Sequence, residues 1–235
     1  MASQDYIPAV ASAVEAIHSG NVEFLKQLLN QNRNIVRETV DGQRTLLHVA
    51  TDWPGHFPNN AAIVAALASY GADVNAAFIG PHSETTLHWA ASTNDVAVLD
   101  VLIDNGADVE APGGVIGGGT PLSDAVAFGQ WQAAHRLVER GARTTLWQAA
   151  ALGLMDRVRE YFAGDAAPAH EEITNAFWCA CHGGQQTIAA YLLGHGAELN
   201  WVGHDGLSPL DAARRRGAVD VIDCLRQRGA KSASH

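Results

Sequence analysis

A run of the form Thr-x-Leu-His/Ser-x-Ala returns along this chain, each time followed by an apolar stretch and, in most copies, by Gly-Ala-Asp-Val or a close variant. The clearest copy, Thr85 to Ala111, contains Thr-Thr-Leu-His-Trp-Ala-Ala and ends Asn-Gly-Ala-Asp-Val-Glu-Ala. Another, Thr120 to Ala142, opens Thr-Pro-Leu, and further copies start at Thr45 and Ser208. Self-similarity of this kind means that each copy buries its apolar face only against its neighbours. The local chemistry predicts two helices per copy. The opening Thr or Ser can accept a hydrogen bond from a free N–H of the first turn, and Pro121 and Pro209 lie just inside, where a missing donor costs nothing. Ala90 and Ala91, Ala149 and Ala150, and Ala212 and Ala213 let neighbouring helices approach closely. The second helices carry apolar residues three and four apart, as in Val98, Val101, Leu102 and in Ile188, Tyr191, Leu192. Gly71, Gly106, Gly141, Gly196 and Gly229 then stop them.

These motifs resemble the ankyrin repeat, whose period is about 33 residues, and the resemblance covers nearly the whole chain. It implies an all-α solenoid of stacked helix pairs joined by β-hairpin or loop fingers. The expected organisation is one domain, 1–235, of seven units at about 6–38, 41–76, 77–111, 112–143, 144–171, 172–200 and 201–231. Arg214, Arg215 and Arg216 stand in the last first helix where earlier units carry apolar or small residues, as a terminal unit facing water requires.

Charge narrows the partners. The net charge is -10, and between Thr45 and His135 there are nine acidic residues and no Lys or Arg. Such a stretch repels phosphates, so nucleic acid is not the expected partner. No run of about 18 apolar residues suggests a membrane span, and Asp5 sits where a signal peptide would carry its positive start. Three cysteines, Cys179, Cys181 and Cys224, are too few for a disulfide scaffold, and a cytoplasmic location is the expectation.

Function is sought where the repeat breaks. Asp52 to Pro58 is an insertion between the two helices of its unit, and the fingers before Thr85 and Thr120 are lengthened, as Phe78 to His82 and Pro112 to Gly119. The finger before Leu146 is almost absent, and Ala163 to Glu172 reads as a linker. In ankyrin-like arrays the fifth, eighth and ninth residues from the opening Thr line a concave groove. That register selects Trp89, Asp124, Gln148 and Trp178 at the fifth place, Ser92 at the eighth, and Trp53, Phe128 and His182 at the ninth. Two subsites are expected: one from Asp52, Trp53, His56, His82, Trp89, Asp124 and Phe128, another from Gln148, Trp178 and His182. His48 and His88 fall at the histidine place of the signature, where the ring ties neighbouring turns together, and Trp147 is assigned to the same place and to the core.

The leading expectation is a binding module for a protein or peptide carrying basic or cationic groups, with the tryptophans as anchors. The alternative is an enzyme on a small, partly apolar or cationic ligand, in which Asp52, His56, His82 and Asp124 do acid–base chemistry. No established catalytic signature is present, and neither a cofactor nor a metal is expected. Cys179, Cys181 and His182 point in different directions on a helix, and the Gly113 to Gly119 stretch lacks the Lys of a phosphate loop.

Overall fold

The computed structural model describes residues 6–164, 166–203 and 205–233. The signal-peptide reading at Asp5, and Asp165 of the expected linker, lie outside the described residues. Two compact units are present, Met1–Ala142 and Arg143–His235. In the first, α1 (Tyr6–Ser19) and α2 (Val22–Gln31) are followed by a 3-10 turn at Arg33–Arg37 and a hairpin of β1 (Thr39–Val40) and β2 (Arg44–Thr45). Three further helix pairs follow: α3 (Leu46–Thr51) with α4 (Asn60–Ser69), α5 (Thr86–Ser92) with α6 (Val96–Asp104), and α7 (Pro121–Ala127) with α8 (Trp131–Glu139). The hairpin pairs Thr39 with Thr45 and Val40 with Arg44. Among the described residues the remaining fingers are loops, with a single antiparallel bridge between Ala77 and Thr85.

First helices stack on first helices, α3 on α5 and α5 on α7, while α4, α6 and α8 stack alongside. The cost of ordering them is met by leucines at matching places: Leu47, Leu87 and Leu122 in the inner row and Leu67, Leu102 and Leu137 in the outer row are all fully buried. The signature histidines bind the row together. His48 Nδ1 accepts the Thr45 N–H (3.3 Å) and His88 Nδ1 that of Thr85 (3.1 Å). With Nδ1 accepting, the proton is on Nε2, which donates to the next finger: His48 to Glu84 O and His88 to Gly119 O, both at 3.2 Å. Burial lowers the pKa of both rings, which keeps them neutral and suited to this one-acceptor, one-donor role. Beyond the end of helix α6, Gly106 turns the chain at φ +90°, and this left-handed turn lets the N–H of Gly106 reach Ile103 O and that of Ala107 reach Leu102 O, both at 3.0 Å.

The second unit holds α9 (Leu146–Ala151) with α10 (Met155–Ala163), α11 (His170–Gly183) with α12 (Gln186–Gly194), and α13 (Pro209–Arg216) with α14 (Val219–Gln227). Phe177 is its largest fully buried side chain, set among Ala149, Ala150, Ala176 and Ala180. At Gly183 a Cβ would come 1.9 Å from Ala151 O, so α11 passes α9 at backbone contact. Two sequence expectations are corrected here. Helix α9 is capped by Thr145, not Thr144. That one-residue shift moves Gln148 into the histidine place, where its Oε1 accepts the Thr145 N–H at 2.8 Å and its side chain is 2% exposed. Gln148 is therefore a buried capping residue, and Trp147 falls one place earlier, half-buried against the core. Helix α11 begins four residues before Thr174: Glu172 accepts the Ala169 N–H at 2.8 Å, closing the first turn, so the expected linker ends at Ala169 rather than Glu172.

Candidate binding cleft

In the first unit a cleft of about 490 Å³, open to solvent on one side, is lined by Thr51, Asp52, Trp53, Glu84, Trp89, Ser92, Thr93, Val115, Phe128 and Gln130. It brings together Asp52, Trp53, Trp89 and Phe128 of the expected first subsite, with Ser92 of the eighth place. Trp53 is 83% exposed and Phe128 49%. Helix α3 stops at Thr51, so Trp53 stands on the insertion, not on the helix face used for counting. The insertion is fixed by Gly55 N–H to Asp52 O (2.7 Å) and by the His56 ring, whose Nε2–H donates to Thr93 O at 2.8 Å. Asp52 also accepts from Arg44, which precedes the acidic stretch and folds back on it.

Besides Asp52, which Arg44 pairs, the cleft holds the acid Glu84, 5% exposed, which sequence reasoning passed over because it precedes the Thr that starts the count. Its Oε2 accepts the Trp89 indole N–H at 2.8 Å, and its Oε1 the Val115 N–H at 3.4 Å. Trp89 is half-buried: its ring meets His48 edge-on with centroids 4.9 Å apart and lies 5.5 Å from Phe78. It therefore supports the fold as well as lining the cleft. His82 stacks on Phe78 at 4.8 Å, and its Nδ1 sits 2.9 Å from Glu84 Oε2, an ion-pair distance without hydrogen-bond geometry.

Asp124, expected on the groove face, is 0% exposed and lies under the 112–119 finger. Its Oδ1 accepts the Ile116 N–H at 3.3 Å, while no N–H or other donor reaches its buried Oδ2. Burial, and then a hydrogen bond from the protonated acid to Glu84 together with the repulsion of that carboxylate, push its pKa up to about 8, so it holds at neutral pH a proton that it shares with Glu84. Gly114 makes the covering possible: a Cβ there would stand 2.8 Å from Asp124 Oδ2. Asp124, His56 and His82 are thus placed outside the cleft lining.

The acidic stretch is less bare than its sequence suggests. Asp100 is held by Arg136 (2.8 Å) and Arg140 (2.7 Å), which lie just beyond it in sequence and lower its pKa through their hydrogen bonds and charges even against partial burial. Asp95 caps α6 through the Val98 N–H. In the second unit Trp178 donates its indole N–H to Leu207 O at 2.8 Å and stacks on His182 at 5.5 Å, with the Gly203 position against its ring. His182 is buried and Trp178 half-buried. Burial raises the thiol of Cys179 to about 12 and that of Cys181 well above the usual range, which leaves them poor metal ligands and nucleophiles. Among the described residues no three His, Cys, Asp or Glu side chains gather as a metal site needs.

Residues 82–113 match the Ankyrin repeat family. The chain is 30% identical over 157 residues, 61% of its length, to the Ankyrin repeat and KH domain-containing protein mask-1 of Caenorhabditis elegans, and spans 6% of that protein. Its fold is similar to the crystal structure of the human ASB11 ankyrin repeat domain, with a TM-score of 0.55 at 22% identity, covering 92% of this chain and 96% of that one. No helix among the described residues is long and apolar enough to cross a membrane.

Proposed function

We propose, for a chain that is an ankyrin-repeat protein and so built of protein-binding modules, that the first unit binds an extended protein segment in its Trp53–Glu84–Phe128 cleft. A basic side chain of that segment is placed against Glu84. The observation that carries this reading is Glu84 itself, an acid 5% exposed between aromatic side chains in a cleft with no basic residue in its lining. Enclosure by aromatic rings strengthens attraction between a carboxylate and an incoming cation, because both are shielded from water. Trp53 and Phe128, large and exposed, supply area that gains most when a partner covers it. An acid–base enzyme finds less support, since Asp124 is sealed by the finger and His56 is engaged with Thr93.

Peptide-library selection on the wild type and on Glu84→Gln tests this. Peptides recovered by the wild type are expected to be enriched in Arg or Lys flanked by apolar residues, and Glu84→Gln is expected to lose that enrichment. Selection with no basic preference, or with the same preference in both proteins, would overturn the reading.

A further inference from the structure

The finger over the two buried acids is held in an unusual way. Two consecutive amides do it, Val115 N–H donating to Glu84 and Ile116 N–H to Asp124, one donor for each carboxyl. At 3.4 and 3.3 Å both bonds are long, and no donor reaches Asp124 Oδ2. The finger is closed on itself by Gly113 N–H to Gly118 O (3.0 Å) and Gly114 N–H to Gly119 O (2.9 Å), and tied down by Ser83 N–H to Gly113 O (3.3 Å). It brings no charged side chain of its own. Its Val115 and Ile116 are 48% and 37% exposed, so little apolar burial keeps it shut.

We propose that Glu84 and Asp124 together form a guanidinium site which the finger's own amides occupy at rest, and which an arginine of the bound segment takes over. This inference rests on the reading of the cleft given above and names the residue that enters it. A guanidinium presents parallel N–H donors in a planar fork and so replaces two adjacent amides with one donor set that also carries charge. A lysine ammonium, a point charge, does not match two separate carboxyls as well. The exchange balances: neutral Asp124 and a guanidinium cation give a carboxylate–guanidinium pair and one proton, released to solvent. Asp124 Oδ2, which no donor reaches at rest, gains one in the process.

The groups facing Asp124 are few. Glu84 and His82 precede α5, His88 lies in its first turn, and the finger contributes no titratable group. On α8, Arg136 is engaged by Asp100 and Glu139, and His135 is exposed. Work above pH 7 keeps His88 neutral, its pKa being lowered by burial.

The test follows the amide signals of Val115 and Ile116 and the Trp89 indole N–H by NMR. N-acetyl-arginine amide and N-acetyl-lysine amide are titrated into the wild type and Asp124→Asn. The arginine probe is expected to shift all three signals, with affinity rising as pH is raised, by up to about tenfold per unit, until the Asp124 pKa of about 8, and levelling above it. In Asp124→Asn that pH dependence disappears. Equal binding of the two probes, pH-independent binding of arginine, or no shift with either probe would each overturn the guanidinium site. Selected peptides that still depended on Glu84 would leave the cleft reading standing in all three cases.

Discussion

His88→Ala should destabilise the protein by about 3 kcal/mol or more, and His88→Gln by about 1 kcal/mol, in urea titration. The ring is fully buried and joins the start of α5 to the finger before α7, accepting from Thr85 N–H and donating to Gly119 O. Alanine leaves a cavity, an unpaired Thr85 N–H and an unpaired Gly119 O at once. Losses of this kind combine the transfer and cavity costs with the penalty for stranded polar groups. Glutamine is the informative comparison because the chain uses it itself. In α9, Gln148 stands where His88 stands in α5, and its Oε1 accepts the Thr145 N–H at 2.8 Å. Its amide can serve both ends of the bridge, at the cost of an extra rotatable bond. Equal losses for the two variants would show that ring packing, not the paired hydrogen bonds, is what His88 supplies.

Asp124→Asn should gain stability over the wild type as pH rises, reaching its full advantage above pH 8. The folded-state pKa of Asp124, about 8, exceeds its ordinary value of 3.8. Between those values the folded protein holds a proton that the unfolded chain has lost, so wild-type stability falls with rising pH by up to about 1.4 kcal/mol per unit. The contribution is complete below 3.8 and gone above about 8. Asparagine keeps the shape without the proton and has no such slope. The buried histidines act in the opposite sense. Their pKa values are lowered, so stability from His48 and His88 is present above 6.5 and lost as pH falls through their folded values. Both histidines remain in both proteins, so the difference in melting temperature between wild type and Asp124→Asn reports the Asp124–Glu84 pair. A difference constant from pH 5 to 9 would mean that Asp124 is ionised throughout.

The helix pairs were legible in the sequence because their determinants are local. Capping Thr, N1 proline and terminal glycine each act within a turn, and apolar spacing names the buried face. The bridging role of His48 and His88 was legible for the same reason, since it follows from one motif position. Register failed where two equivalent residues adjoin: Thr144 and Thr145 both can cap, and only packing chooses, so Gln148 and Trp147 were each assigned one place wrong. The 163–172 linker failed because Glu172 alone accepts the Ala169 N–H and closes the first turn without a Thr or Ser at the cap. Asp124 was placed by helix geometry that does hold, since it lies on α7 as counted. What hides it is a finger folded from seven residues with five glycines between 113 and 119, whose path no periodicity specifies. Glu84 was missed because it sits on a loop, and loops carry no repeating position from which to count.

The affinity of a basic peptide recovered by selection, measured for the wild type, Trp53→Ala and Val219→Ala, tests the cleft most directly. Trp53 is 83% exposed and Val219, in the second unit, 65% exposed, so neither truncation should lower the melting temperature appreciably. If the first-unit cleft holds the peptide, Trp53→Ala weakens binding by about tenfold or more while Val219→Ala leaves it unchanged. Wild-type affinity in Trp53→Ala would contradict the account.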